Sequence, residues 1–513
     1  MPAAIMLQGA GSNVGKSVLV AGLCRHFANQ GLRVRPFKPQ NMSNNAAVTE
    51  DGGEIGRAQA MQARACRVPP SIHMNPVLLK PETETGAQII VQGKRFGSMR
   101  AREYGTHKKT LLPRVLDSFE RLRGDADLVI IEGAGSPAEV NLRAGDIANM
   151  GFAVAADVPV VMIGDIDRGG VIASLVGTDS VLDKQDSDFI KAFMINKFRG
   201  DTTLFSEGMD IISRATGWTG LGILPWFAPA RFLPAEDILD IAGKTGHDDV
   251  GRDNAGLNNT GRDNTGIHNA GAPLHIAVPM MRRIANFDDL DPLAGEADVR
   301  LSLIEAGEVI PADTDMVLLP GSKSTISDLA YLRDQGWDID IAAHLRRGGV
   351  VMGLCGGYQI LGTNIADPGG VEGPAGSAPG LGLLAVETVL AGDKTLTHVA
   401  AQSARFGTTV RGYEIHMGRT SGADCARPML QIGGRQDGAI SADGRVMGSY
   451  VHGIFADDAF RRAFLDDLAA RRGRFGTFGV VDFDARIDSV LDELATHMAD
   501  NLAMDAIGRI AGL

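Results

Sequence analysis

Residues 9–17 read GAGSNVGKS, set between an apolar run at 4–8 and an amphipathic stretch at 18–30. A buried strand, a glycine-rich turn, Gly-Lys-Ser and a helix, in that order, are what a phosphate loop requires. Small residues let backbone N–H groups turn inward onto phosphate oxygens, and the helix N-terminus adds its positive end. On this reading Gly9, Ser12 and Gly15 shape an ATP cradle, Lys16 reaches the β- and γ-phosphates, and Ser17 ligates Mg²⁺. The common spacing places the first glycine five residues before the second. That position is Ala10 here, and Gly9 stands six before Gly15.

Outward from the loop, short apolar runs at 33–36, 128–132, 159–165 and 192–196 alternate with amphipathic stretches at 55–67 and 108–123. Strand and helix alternating at this spacing predict a parallel α/β sheet with right-handed crossovers. The run DLVIIEGAGS ends its strand in Glu132, where a second Mg²⁺ ligand belongs beside a phosphate loop. Glu54, in DGGEIGRAQ, opens a predicted helix. It reads either as a further metal ligand or as a carboxylate favoured by the helix dipole. Asn196 and Lys197 follow another apolar run, and an amide and a lysine stem at a strand end suit recognition of a purine base; a plain turn is the competing reading.

The segment at 251–271, GRDNAGLNNTGRDNTGIHNAG, repeats GRDN and offers few apolar side chains. It reads as a flexible insertion. A second α/β pattern then begins, with strands expected at 275–279, 299–303, 316–319 and 350–354. Helices are expected at 326–335, 339–347, 459–471 and 486–506. The organisation expected is therefore a phosphate-loop domain at 1–235, a linker at 236–272, and a second α/β domain at 273–513.

Within that second domain, VVMGLCGGYQILG at 350–362 places Cys355 between Gly353 and Gly357 at a strand-to-helix turn. This is the thiol form of a nucleophile elbow: the tight turn needs small neighbours, and the helix behind it stabilises a thiolate. The N–H of Gly356, with that of Gly321 in LPGS at 319–322, would hold an oxyanion. A base is needed, and His452 in GSYVHGIF is the best candidate.

The chain has 513 residues, with 50 Lys and Arg against 62 Asp and Glu, for a net charge of −12. That balance argues against non-specific nucleic-acid binding. It does not forbid a local basic pocket for an anionic substrate. The cysteines, at 24, 66, 355 and 425, form no CxxC pair, so neither a zinc site nor a disulfide framework is indicated. Cys24 and Cys66 read as core, and Cys425 lies in a polar loop. The N-terminus lacks the pattern of a signal peptide, and the most apolar stretch, 151–164, is too short to span a bilayer. A cytoplasmic, non-membrane protein is expected.

The loop spacing resembles the dethiobiotin-synthetase-like branch of phosphate-loop enzymes. Partition-type ATPases carry a lysine five residues before the loop lysine, and Gly11 stands there instead. GLCGGYQ followed by YVHG is similar to class I glutamine amidotransferase domains. Most of those carry Glu two residues after the His; here it is Ile454, so the chain resembles the subgroup working with a Cys–His dyad. PFKPQNMSNN at 36–45, EIGRAQAMQARA at 54–65, NPVLLKPE at 75–82, EGAGSPAEVNL at 132–142, DIDRGG at 165–170 and GYEIHMG at 412–418 resemble the cobyric acid synthase family.

That resemblance implies amidation of the b, d, e and g carboxylates of adenosylcobyrinic a,c-diamide, with ATP consumed and glutamine as the nitrogen source. It further implies an acyl phosphate intermediate, a glutamyl thioester on Cys355, and an internal path for ammonia. Lys38 and Lys80 are then candidates to meet corrinoid carboxylates, or else ordinary surface lysines. Tyr413, Glu414 and His416 belong to the glutamine site or to a domain interface. Two competitors remain: cobyrinic acid a,c-diamide synthase, and a non-catalytic nucleotide-binding regulator. PFKPQNMSNN favours the first family over its sibling, and the intact GKS, Cys355 and His452 argue against a regulator.

Overall fold

The computed structural model describes residues 2–82, 86–236, 273–390, 394–474 and 481–513. The segment 251–271 lies outside them. The chain divides into two compact units, 1–236 with 487–513, and 237–486.

The first unit is built on six parallel strands. Their order across the sheet is Thr219–Pro225, Ile190–Phe198, Val160–Asp165, Ala3–Gly9, Leu128–Glu132 and Val34–Phe37. The central strands carry apolar side chains on both faces, as a parallel sheet covered on two sides demands. Phe37, Phe119 and Phe152 pack with ring centroids 5.3 to 5.5 Å apart on one of those faces. Ala3–Gly9 and Leu128–Glu132 run side by side in register, Leu7 opposite Glu132. The phosphate loop and the Glu132 carboxylate therefore emerge at the same sheet edge, where α/β sheets place their ligands.

Two short sheets, Gln40–Met42 with Val77–Pro81, Gly86–Val91 and Lys94–Arg100, and Ala46–Val48 with Glu54–Gly56, add to this unit. Glu54 thus lies in a strand; the helix begins three residues later, at Arg57–Ala65.

The C-terminal residues depart from the expected division. The stretch 486–506, read as one helix of the second domain, is two helices, Phe483–Asn501 and Met504–Ala511. From Ile487 onward they belong to the first unit. The reason is packing against the helix after the phosphate loop, Lys16–Asn29. A Cβ on Gly22 would collide with Met498 Sδ, so the two helices meet through the missing side chain. Arg25, fully buried, forms an ion pair with Asp488.

The second unit has a sheet ordered Val299–Ile304, Leu274–Pro279, Met316–Leu319, Val350–Leu354, Val446–Ser449 and Ala439–Ile440, parallel except for the last pair. Between residues 364 and 452 the chain forms two further sheets, including the long hairpin Thr395–Ser403 with Thr409–His416. The second strand of this hairpin ends at His416 and pairs Tyr413 with His452.

Candidate active sites

At the first site the loop glycines are required by contact. A Cβ on Gly9 would lie 2.6 Å from Val14 Cγ2, and Gly15, at φ +95°, would place one 2.5 Å from Asn196 Nδ2. Asn196 Nδ2 donates to Val14 O at 2.8 Å. Lys197 Nζ donates to Asn13 O at 2.6 Å and to Asp165 Oδ2 at 2.9 Å. Both side chains expected to read a base are thus engaged in holding the loop backbone. Lys16 Nζ donates to Gly11 O at 3.3 Å and Gly135 O at 3.2 Å, so it spans the loop and the turn after Glu132. Burial draws its ammonium below the ordinary lysine value, against the pull of Glu132. Ser12 stands exposed on the loop.

Ser17 Oγ lies 2.9 Å from Glu132 Oε1 and 2.6 Å from Glu236 Oε2. Lys38 Nζ donates to Glu132 Oε1 at 2.8 Å and Glu236 Oε1 at 3.1 Å. Gln62 Nε2 donates to Glu132 Oε2 at 2.6 Å. Burial works against the Lys38 charge, yet Glu132 and Glu236 outweigh it and raise its pKa above the usual value. Burial likewise opposes ionisation of Glu236, and the Lys38 ammonium overcomes it and lowers that carboxyl.

Lys80, a candidate substrate contact or an ordinary lysine, and Glu54, a candidate metal ligand or a helix-start carboxylate, form a buried pair, Nζ to Oε2 2.8 Å. Glu236 escapes sequence reasoning: it stands first in the expected linker, and one acid in PAED carries no distinguishing pattern.

At the second site Cys355 adopts φ +51°, ψ −107°, between the strand Val350–Leu354 and the helix Gly356–Leu361. A non-glycine residue at positive φ is strained, and here the surrounding contacts impose it. A Cβ on Gly353 would lie 2.5 Å from Gly357 C, and one on Gly357 would collide with Leu319 O. Gly356 opens the helix, where the first N–H groups have no intrahelical partner. Gly321 is tight as well: a Cβ would meet His452 Cε1 at 2.9 Å.

His452 is fully buried, and its Nδ1 lies 2.8 Å from Asp289 Oδ2. The other Asp289 oxygen accepts from Gly453 N at 2.5 Å. Among the described residues, His452 Nε2 has no partner within ordinary hydrogen-bond distance, and the Cys355 thiol is the group that acts on it. Desolvation, the largest effect, disfavours the imidazolium, but Asp289 and the Cys355 sulfur reverse it and push its pKa up to about 10. An unbonded Nε2 beside a thiol, with Nδ1 fixed by a carboxylate, is the arrangement of an activated nucleophile.

The dyad expected from Ile454 is therefore completed by a carboxylate from a distant turn. The sequence carries no local signal for Asp289. Tyr413 stacks on His452, ring centroids 5.4 Å apart, and its hydroxyl donates to Asp288 Oδ1 at 2.7 Å. His416 stacks on Tyr450, and Glu414 pairs with Arg435.

Two family models match. Residues 5–239 match the CobQ/CobB/MinD/ParA nucleotide binding domain, and residues 275–460 match the CobB/CobQ-like glutamine amidotransferase domain. The chain is 59% identical over 507 residues to a cobyric acid synthase of Jannaschia sp. (strain CCS1), covering 99% of both chains. A cobyric acid synthase of Rhodobacter capsulatus is 59% identical over 497 residues, covering 96% of this chain and 98% of its own. One of Paracoccus denitrificans (strain Pd 1222) is 56% identical, covering 99% of each. Among the described residues, no helix is long and apolar enough to cross a membrane.

Proposed function

Since the chain belongs to the cobyric acid synthase family, we propose that it amidates the b, d, e and g carboxylates of adenosylcobyrinic a,c-diamide. It is a glutamine-dependent amidoligase with a nucleotide-binding unit and a glutaminase unit. The observation that carries the reading is the joint presence of a Cys355–His452–Asp289 constellation and a Lys16–Ser17–Glu132 phosphate site in one chain.

In the second unit, His452 Nε2 holds the proton that Cys355 gives up, and the thiolate attacks the side-chain amide carbon of glutamine. The N–H groups of Gly356 and Gly321 receive the oxyanion. The imidazolium, held by Asp289, returns the proton to the leaving nitrogen, and ammonia departs. Water then cleaves the glutamyl thioester to glutamate and restores the thiol.

In the first unit, a corrinoid carboxylate oxygen attacks the γ-phosphorus of ATP, the bond to the ADP oxygen breaks, and an acyl phosphate forms. The ammonia lone pair attacks its carbonyl carbon, a proton is lost, and inorganic phosphate leaves. Lys16 neutralises charge on the transferred group. Asn196 and Lys197 keep the loop in the shape that receives it.

Hydroxyl and carboxylate oxygens are the donors magnesium prefers, and Ser17 and Glu132 would hold it. When bound, the ion neutralises phosphate oxygens and so favours transfer. Lys38, already serving two carboxylates, is the proposed contact for the incoming acid. Lys80 and Glu54, closed on each other, are assigned a structural role.

Mass spectrometry of the product made from the a,c-diamide, ATP and glutamine tests this reading. Four added amides are expected. No added amide would refute it.

A further inference from the structure

Glu236 has no part in the mechanism above, yet it reaches the centre of the phosphate site. Ser17 Oγ has two carboxylate oxygens close by, Glu132 Oε1 at 2.9 Å and Glu236 Oε2 at 2.6 Å. A hydroxyl has one proton, so it can donate to only one of them. The other contact sets two oxygen lone pairs against each other, at a cost unless a cation lies among them. Lys38 neutralises one of the two carboxylate charges from the far side, through Glu132 Oε1 and Glu236 Oε1. Lys16 is the other cation within electrostatic reach of the two carboxylates, but its ammonium is directed to the Gly11 and Gly135 carbonyls and separates neither carboxylate oxygen from the Ser17 hydroxyl.

The placement of Glu236 is built. Asn41 Nδ2 donates to its Oε1 at 3.3 Å. The preceding residue is anchored through Asn45 Nδ2, which donates to Ala235 O at 3.0 Å. Leu233 and Ala235 are buried. The PFKPQNMSNN segment thus supplies three side chains, Lys38, Asn41 and Asn45, that fix this glutamate and its backbone over Ser17.

Adjacent ligands of an octahedral ion with bonds of about 2.1 Å stand about 3 Å apart. Each carboxylate oxygen stands at about that distance from the Ser17 hydroxyl oxygen. We infer that Glu236 is a further protein ligand of the divalent cation that accompanies ATP. The inference rests on the reading of residues 9–17 as an ATP site. It adds that the last residues of the first unit's main segment complete the metal site, so that cation binding fixes the end of that segment.

The test is a Mn²⁺ titration of the full-length protein, followed by the electron paramagnetic resonance signal of free Mn²⁺, with and without a non-hydrolysable ATP analogue. Wild type is expected to take up Mn²⁺ in an analogue-dependent manner. Glu236→Gln should raise the apparent Kd for Mn²⁺ by roughly 10-fold or more, and Glu236→Asp by less. A cooperative urea unfolding transition of the first unit in both variants shows that they are folded, and glutaminase activity, which resides in the other unit, should persist. Unchanged Mn²⁺ affinity in folded Glu236→Gln overturns the inference. So does tighter analogue binding without metal, which would make Glu236 an occupant of the anion site. Absence of analogue-dependent Mn²⁺ uptake in wild type would instead remove the ATP-site reading itself.

Discussion

Asp289 Oδ2 stands 2.8 Å from His452 Nδ1, joining residues 163 positions apart in the chain. That contact fixes the ring tautomer, leaves Nε2 toward the thiol and favours the charged imidazolium. Asp289 occupies His452 Nδ1 in a chain that has Ile454, and no carboxylate, two residues after the histidine.

Asp289→Asn should therefore lower glutaminase kcat/KM by roughly 10²-fold, by analogy with other displaced general bases. It should also move the pH profile. Removing an anion beside the imidazolium disfavours the charged form, so the pKa of His452 falls from about 10. The alkaline limb of kcat/KM, where the imidazolium is lost, should shift to lower pH. A residue serving only as packing would reduce activity without moving the limb. Amidation supplied with ammonium chloride should remain at the wild-type rate.

The two units can be silenced separately. Cys355→Ala should abolish glutamine hydrolysis while ammonia-dependent amidation stays intact, because ammonia enters after the thioester step. Lys16→Met should do the converse, reducing amidation from either nitrogen source by at least about 10²-fold, the scale of losing one electrostatic contact to the transferred group. Its glutaminase should survive. Loss of both amidation activities in Cys355→Ala would break the division of labour.

Gly321 is constrained on two sides, by Ala285 O at 2.6 Å and His452 Cε1 at 2.9 Å from where a Cβ would stand. Backbone cannot yield as a flexible side chain can, so Gly321→Ala should displace the His452 ring. The expected result is a loss of glutaminase kcat of about 10-fold or more, since displacements near 1 Å are costly to positioned groups. Nucleotide binding, measured by calorimetry, should be unaltered.

What the sequence disclosed follows from how locally each feature is encoded. The phosphate loop and the thiol elbow are each specified by a short run of consecutive residues, because tight turns demand glycine at fixed offsets. The parallel strands were legible as short apolar runs. Asp289 and Glu236 were not, because each acts by meeting a residue far away in sequence, and a lone acid in a turn looks like any solvated acid. Strands such as Gly376–Pro379 and Arg419–Gly422 are four residues long, largely exposed and begin with or end in glycine, so they are too short to display the alternation that marks a strand. The C-terminal helices had a clear helical period. Their return to the first unit depends on Gly22 and Arg25, whose partners periodicity cannot name.

Lys80 and Glu54 separate a structural from a substrate-binding role. Each is about 2% exposed, and they meet at 2.8 Å. Removing one member of a buried pair leaves an uncompensated charge, at a cost of about 3–5 kcal/mol. Lys80→Met should lower the stability of the first unit by that order, measured by urea unfolding. The double variant Glu54→Gln, Lys80→Met should recover most of the loss, because no unpaired charge is then buried. The same double variant should keep its KM for the corrinoid. A KM rise of 10-fold or more, with stability restored, would return Lys80 to the substrate site. An unrecovered stability loss would mean that the two residues are not each other's principal partners.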